Sequence, residues 1–243
     1  MNGKLGNIIF ALVIVVVVVG IGAMIFINSQ GNNNAKDAAD SDNPSALTKD
    51  TERQASIGNK DSKVKVVEFG DYKCPHCAAF DQNVFPELKK DFIDNDKIEY
   101  RYVTAPFHGK PTALASKAAQ AVYIHAGSQY WTFHHNLYKA APEDPQKMSE
   151  DDWLNESLLD AEIDKLEIAD DVAKKIKADY KDNKSEAAKA QKHEEDLTRK
   201  YKIQQTPTVF VNGKRMENAS DYKALKAEIE KALDKEKKDK KEK

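Results

Sequence analysis

The sequence predicts an α/β protein in which two segments with β-strands flank a long helical segment. Strand-like apolar runs occur at 64–69 and 98–103, and a third, at 208–211, precedes the hairpin turn signal Asn212-Gly213. Between the second and third runs, residues 111 to about 201 show helical patterns almost throughout. The order of these elements therefore predicts a sheet assembled from both ends of one domain, with about ninety residues of helix inserted between them.

Local signals support each predicted element. Val64–Phe69 is rich in valine, as expected of a buried strand, and a helix is expected to begin near Pro75 and to reach about Phe92. Residues 214–216 are predicted to return as the partner strand of the hairpin, and Asp221–Leu233 has an apolar stripe at helical spacing. The helical patterns of the inserted segment lie at Thr112–His125, Tyr130–Ala140, Ser149–Ala161 and Ala169–Tyr201.

The N-terminus carries a membrane signal. After a short segment, 1–7, residues 8–27 form an uninterrupted run of apolar residues and glycine, and a helix of that length spans about 30 Å. The run predicts a single uncleaved transmembrane anchor; a cleaved signal peptide is the alternative. Lys4 gives a small positive bias before the run, which favours an extracytoplasmic position for everything after it.

Two further segments are predicted to lie outside the globular part. Residues 28–60 are rich in Asn, Asp, Ser and Ala, which predicts a flexible polar tether. Residues 234–243 contain six lysines and four acids, which predicts a charged, solvated tail. The formal net charge of −2 gives no argument for a nucleic-acid partner.

Cys74-Pro75-His76-Cys77 contains the only two cysteines of the chain, at the passage from a predicted strand to a predicted helix. A structural zinc site needs four ligands, and a purely structural disulfide across so small a loop would constrain the unfolded chain little. A redox-active pair is the favoured interpretation. Pro75 suits the first helical position, and His76 and the helix dipole should favour the Cys74 thiolate, giving a pKa of ~3.5–7.5 and a strongly oxidising disulfide.

Thr206-Pro207 stands directly before the strand predicted at 208–211, where a central strand would not normally place proline. A cis bond here would form a tight turn and leave the Thr206 backbone free to pair with an extended peptide.

With these motifs in place, the run Val66–Cys77 together with Gln205–Thr208 resembles the DsbA family of thiol-disulfide oxidoreductases, most closely the membrane-tethered BdbD type of Gram-positive bacteria. The resemblance extends from about Gln54 to Leu233. It implies a thioredoxin fold, formed by 61–106 and 202–233, that is interrupted by an all-helical domain at 107–201.

The resemblance also implies roles for single residues. Cys74 would be the exposed, attacked cysteine and Cys77 its buried resolving partner. Thr206 and Pro207 would form a cis-proline loop facing the disulfide. Glu68 would be the buried acid that helps to move protons; the alternative is a strand-end carboxylate that faces solvent. The family pairs that acid with a lysine, whose equivalent here would lie near Tyr100 or Arg101.

The expected protein is a membrane-anchored, extracytoplasmic thiol oxidase that introduces disulfides into reduced, exported client proteins. The resemblance implies reoxidation by a quinone-linked, DsbB-like membrane partner, and we expect a monomer with no bound cofactor, metal or nucleic acid. A reductase or isomerase on the same fold and a non-catalytic peptide-binding chaperone are the alternatives.

His134-His135, beside Trp131 and Phe133, raises the question of a metal or haem site. The favoured interpretation is that these aromatic residues belong to the core of the helical domain, with the two histidines at its edge.

Overall fold

The computed structural model describes residues 44–241 of the 243-residue chain. Its centre is a five-stranded mixed sheet. The strands are β1 (Ser56–Gly58), β2 (Lys65–Gly70), β3 (Glu99–Thr104), β4 (Thr208–Val211) and β5 (Lys214–Arg215). They lie in the order β1-β3-β2-β4-β5. The central strand, β2, runs parallel to β3 and antiparallel to β4, and β1 is antiparallel to β3.

Helices occupy both ends of the described residues, 44–241, and the long connection between β3 and β4. Six α-helices lie in that connection, where the sequence predicted helix almost throughout. The α-helices are α1 (Pro44–Asp50), α2 (Pro75–Ala79), α3 (Phe85–Leu88), α4 (Lys110–Ala126), α5 (Tyr130–Ala140), α6 (Pro145–Glu150), α7 (Glu156–Asp164), α8 (Asp170–Lys181), α9 (Glu186–Lys200) and α10 (Tyr222–Lys241). Two π-helical segments, Phe80–Val84 and Lys89–Ile93, continue α2 and α3, and a 3₁₀ turn, Gly127–Gln129, precedes α5.

Strand β2 is buried along its whole length because both faces of the sheet are covered. Val66 points into a cluster with residues of the helical run after β2 and of α10, among them Leu88 and Leu225. The next residue, Val67, points into a second cluster on the opposite face, which also contains Leu197 at the end of α9. The alternation of a strand thus accounts for the two cores, and the apolar run predicted a buried strand correctly.

The helical segment has a core of its own, which reaches back to the loop after β2 and to the two cysteines. Three of its helices begin at sequence-encoded caps: the side chains of Asp144, Asn155 and Ser185 accept hydrogen bonds from the first turns of α6, α7 and α9. The cysteines therefore lie where this core meets the sheet.

The tether predicted over 28–60 is wrong for its last part, because residues 44–58 are folded. Leu47 of α1 is buried in the cluster that contains Val67, and β1 pairs with the edge of β3. The Arg101 guanidinium donates to the Thr48 carbonyl at 2.5 Å. Few apolar residues mark this segment, so its packing depends on backbone pairing with an otherwise open sheet edge.

The C-terminal elements agree with the prediction in type but differ in length. Asn212 and Gly213 have positive φ angles of 46° and 79°, as a two-residue hairpin turn requires. Helix α10 continues to Lys241, so the charged residues after Leu233 extend the helix. Within residues 44–241 no helix is both long and apolar enough to cross a bilayer. The predicted anchor, 8–27, lies outside the described residues.

Candidate active site

Cys74 lies at the N-cap of α2, directly after the loop that follows β2. Its backbone is extended, with φ −88° and ψ 117°, and Pro75 occupies the start of the helix, where a missing N–H costs nothing. The backbone N–H groups of Cys77 and Ala78 donate to the Cys74 carbonyl at 3.0 and 3.1 Å. The sequence therefore places the first sulfur at the positive end of a helix and the second sulfur inside it.

Both cysteines are free thiols, and they differ in their access to solvent. Cys74 retains 6% of its surface, whereas Cys77 is completely enclosed. The expectation of an exposed Cys74 is therefore wrong: Cys74 is buried, although less completely than Cys77, and its sulfur lies against the Thr206 carbonyl. His76, between the two thiols, is exposed.

The two thiols also differ in acidity. The hydrogen bond from the Cys77 thiol, joined by the Thr206 side chain and by backbone N–H groups of Cys77 and His76, lowers the pKa of Cys74 to about 6, against the opposing effect of burial. Burial raises the pKa of Cys77, and the proximity of Cys74 and of the Glu68 charge acts in the same direction. Near neutral pH the pair therefore holds one thiolate, on Cys74.

The loop before β4 packs against the Cys74 sulfur. The Thr206–Pro207 peptide bond is cis, and the Cys74 thiol lies 3.4 Å from the Thr206 carbonyl oxygen. Pro207 is buried and Thr206 is half-buried. The Cys-Pro-His-Cys motif and the Thr206-Pro207 motif, 132 positions apart, thus meet at the Cys74 sulfur, in the arrangement that the family resemblance implied.

Glu68 lies on β2, with its carboxylate enclosed beneath this site. The alternative of a solvent-facing carboxylate is wrong. The hydroxyl of Tyr100, on the same face of the neighbouring strand, donates to Glu68 Oε2. Burial raises the pKa of Glu68 to about 8 against that hydrogen bond, and the charges of Asp81 and Cys74 add to the rise. Of the two residues expected near the position of the family's lysine, Tyr100 contacts Glu68, whereas Arg101 pairs with Glu99 at 2.7 Å. A tyrosine therefore takes the place of that lysine as the partner of Glu68.

Asp71 holds the active-site loop in place and was assigned no role from the sequence. Its buried carboxylate accepts hydrogen bonds from the backbone N–H of Lys73 (2.8 Å), the backbone N–H of His108 (3.0 Å) and the Thr112 hydroxyl (2.8 Å). Its own N–H lies 3.4 Å from the Cys77 sulfur. A signal for this role is present in the sequence, because aspartate side chains commonly accept a hydrogen bond from the backbone N–H two residues ahead and so stabilise a turn. Asp71 does this with Lys73.

The aromatic residues of α5 are placed as the sequence predicted, but one histidine is not. Phe133 is buried in the core of the helical segment. His134 is also buried, whereas it was expected at the edge of that core, and His135 is half-buried. Both imidazoles face Asp81, which follows the active-site helix.

Comparison with known proteins identifies the family. The thioredoxin family model matches residues 50–231. Disulfide bond formation protein D of Bacillus subtilis is 38% identical over 186 residues, which cover 74% of this chain and 77% of that protein. A protein-disulfide oxidoreductase assigned in Rickettsia bellii is 33% identical over 184 residues, covering 75% of this chain and 66% of that protein.

The chain belongs to the thioredoxin family, among its DsbA-like members. The crystal structure of oxidised BdbD from Bacillus subtilis superposes with a TM-score of 0.68 and 34% identity, over 77% of this chain and 95% of that one. Alpha-DsbA2 from Wolbachia pipientis shares the fold, with a TM-score of 0.64 at 24% identity over 82% of this chain and 98% of that one. As a DsbA-like protein, this chain is a thiol-disulfide oxidoreductase.

Proposed function

We propose that this oxidoreductase works as an oxidase, introducing disulfides into exported client proteins outside the cytoplasm through Cys74 and Cys77. The observation that carries the proposal is the unequal acidity of the two thiols, since the pKa of Cys74 is lowered to about 6 and that of Cys77 is raised. A stabilised Cys74 thiolate favours the reduced form of the pair. The disulfide form is then a strong acceptor of electrons.

The reaction begins with the Cys74–Cys77 disulfide and a client thiolate. The client sulfur attacks the Cys74 sulfur, forming a mixed disulfide, and Cys77 leaves as a thiolate that takes up a proton. A second client thiolate then attacks the client sulfur of the mixed disulfide, and Cys74 leaves as its stabilised thiolate. The client has gained a disulfide, and two electrons now reside in the Cys74–Cys77 pair.

Two neighbouring groups assist these steps. The cis-Pro207 loop, with Thr206 beside the Cys74 sulfur, offers backbone to an extended client segment. Glu68, whose pKa is raised to about 8, holds a proton at neutral pH beneath the pair and is the donor that we assign to the departing Cys77 thiolate. Reoxidation then requires an electron acceptor, for which we propose a quinone-linked, DsbB-like membrane oxidase.

The location is part of the proposal. The apolar run at 8–27 would anchor the chain, with residues 28–43 spacing the folded part from the bilayer. A reporter without cysteines, fused after Lys243, should be active only outside the cytoplasm. Reporter activity in the cytoplasm would contradict the proposed orientation and, with it, the proposal that the protein oxidises exported clients.

Oxidation of a reduced client protein tests the chemistry. Cys74→Ser and Cys77→Ser should both abolish turnover, but only Cys77→Ser should accumulate a mixed disulfide with the client, because it retains the attacked sulfur. Iodoacetamide should alkylate Cys74 first, with a pH midpoint near 6. Faster labelling of Cys77 would contradict the assignment.

The equilibrium potential against glutathione separates an oxidase from a reductase. We expect a value well above the roughly −270 mV of thioredoxin and towards the roughly −120 mV of DsbA. A value near that of thioredoxin would favour the reductase alternative.

A further inference from the structure

We propose that Asp81, His134 and His135 form a binding site for one divalent transition-metal ion of the zinc type. The site lies where the segment after the active-site helix meets α5 of the helical domain. It is separate from the two thiols, and the proposal does not depend on the direction in which the enzyme moves electrons.

Three ligand atoms converge at this place. Asp81 Oδ1 lies 2.6 Å from His135 Nδ1 and 3.6 Å from His134 Nε2, and all three atoms are within 4.8 Å of one another. Ligand atoms around a tetrahedral ion at ~2.0–2.1 Å are roughly 3.4 Å apart. Binding therefore requires the distance between Asp81 Oδ1 and His135 Nδ1 to lengthen by about 0.8 Å. The ion would replace the proton that these two atoms share in their hydrogen bond.

Charge and burial suit a cation. Asp81 is only 9% exposed, and among residues 44–241 its carboxylate has no lysine or arginine within ion-pair distance, only the two imidazoles. The deeper imidazole, His134, has a side chain that is only 3% exposed. A dication bound here would place positive charge beside a buried carboxylate that no lysine or arginine pairs with.

The surroundings orient the deepest ligand. The Tyr72 hydroxyl lies 3.1 Å from His134 Nδ1 and can accept a hydrogen bond from Nδ1–H, which leaves the lone pair on Nε2, facing Asp81. Metal-binding histidines characteristically use their second nitrogen in this way. Asp81 itself lies in the π-helical segment Phe80–Val84, and such local departures from the α-helix are frequent at functional sites.

The exposure of His135 and the types of ligand atom indicate which ion the site would bind. The His135 side chain retains 26% of its surface, so an ion can enter from that side and keep water at the remaining coordination positions. Two imidazoles and one carboxylate suit zinc and similar ions, whereas calcium prefers sites built from oxygen ligands alone.

Titration of the oxidised full chain with zinc, in competition with a chromophoric chelator, tests the proposal. The oxidised form is used because the disulfide removes the two thiols as competing ligands. We expect one zinc ion per chain, at least tenfold weaker binding by His135→Gln, and no calcium binding at the same place. Thermal melts should show zinc stabilising the wild type and not this variant, as expected for an ion that binds only the folded chain.

His125→Gln is the matched control. His125 and Asp179 form an imidazole–carboxylate contact of the same 2.6 Å length within the helical domain, but they belong to no cluster of three ligands among residues 44–241. This variant should bind zinc like the wild type. Asp81→Asn provides a second test of the site if His135→Gln is unfolded by circular dichroism.

Two results would overturn the proposal. One is absence of zinc binding by the folded, oxidised wild type at millimolar zinc. The other is binding that His135→Gln leaves unchanged, or that His125→Gln weakens equally, since the ion would then reside on other surface histidines.

Discussion

Cys74 and Cys77 are three residues apart yet have opposite environments. Cys74 occupies the N-cap position of a helix, and hydrogen bonds to its sulfur lower its pKa to about 6. Cys77, one turn further, is fully buried, and its pKa is raised. The sequence predicts that Cys74 is the more acidic thiol, and the helix N-terminus is part of the cause, because backbone N–H groups of Cys77 and His76 in the first turn lower its pKa. The larger contribution, a hydrogen bond from the Cys77 thiol, and the contribution of Thr206 were not predicted.

Glu68 gives the pH dependence that can be tested at this scale. Its pKa is about 8 in the folded protein and roughly 4.3 in an unfolded chain, so between these values the folded state binds more protons. The unfolding free energy of the wild type should therefore fall as the pH rises from 5 to 8, by up to about 1.4 kcal/mol per pH unit from this group.

Glu68→Gln removes that titration, so the stability of the variant relative to the wild type should increase steadily over the same range. Urea unfolding of the reduced proteins at each pH measures the difference. Exposed Glu143→Gln is the control for loss of one negative charge. A difference that does not change with pH would mean that Glu68 is ionised in the folded protein at pH 5.

At the scale of elements, strong local patterns were predicted and weak ones were missed. The valine-rich strand β2 and the Asn212-Gly213 turn specify their own conformations. Helix α1 and strand β1 do not, because their sequence is mostly polar and their position depends on the packing of Leu47 in a buried cluster and on pairing with β3. Contacts across long stretches of sequence, such as Tyr100 with Glu68, likewise had no local signal.

Leu47→Ala tests whether α1 is an integral part of the fold. Leu47 is fully buried among residues of the sheet and α9, so its truncation should cost about 2–5 kcal/mol of unfolding free energy. Chemical denaturation measures the loss. Ile124→Ala, at an exposed position of α4, is the control and should change stability far less. A loss no greater than that of the control would restore the original view of this segment as a tether.

For the whole molecule, the redox state of two sulfurs is coupled to the stability of the fold. The cysteine pair contacts the core of the helical domain, the loop that follows strand β2 and the cis-proline loop. The environment of the two sulfurs therefore depends on all three parts of the fold. A thiolate that the folded protein stabilises and the unfolded chain does not must raise the stability of the reduced fold. The same thermodynamic coupling makes the disulfide form a better oxidant.

The coupling predicts that the reduced protein melts at a higher temperature than the oxidised protein at pH 8. The pKa of Cys74 is about 6 when folded and roughly 8.5 when unfolded, so its stabilising effect is complete above the unfolded value and is lost as the pH falls through the folded value. The difference between the two melting temperatures should therefore shrink towards pH 5. The Cys74→Ser/Cys77→Ser variant should show no effect of reductant at either pH. An oxidised form that melts higher at pH 8 would mean that the fold favours the disulfide, and the protein would then be better suited to reducing its clients than to oxidising them.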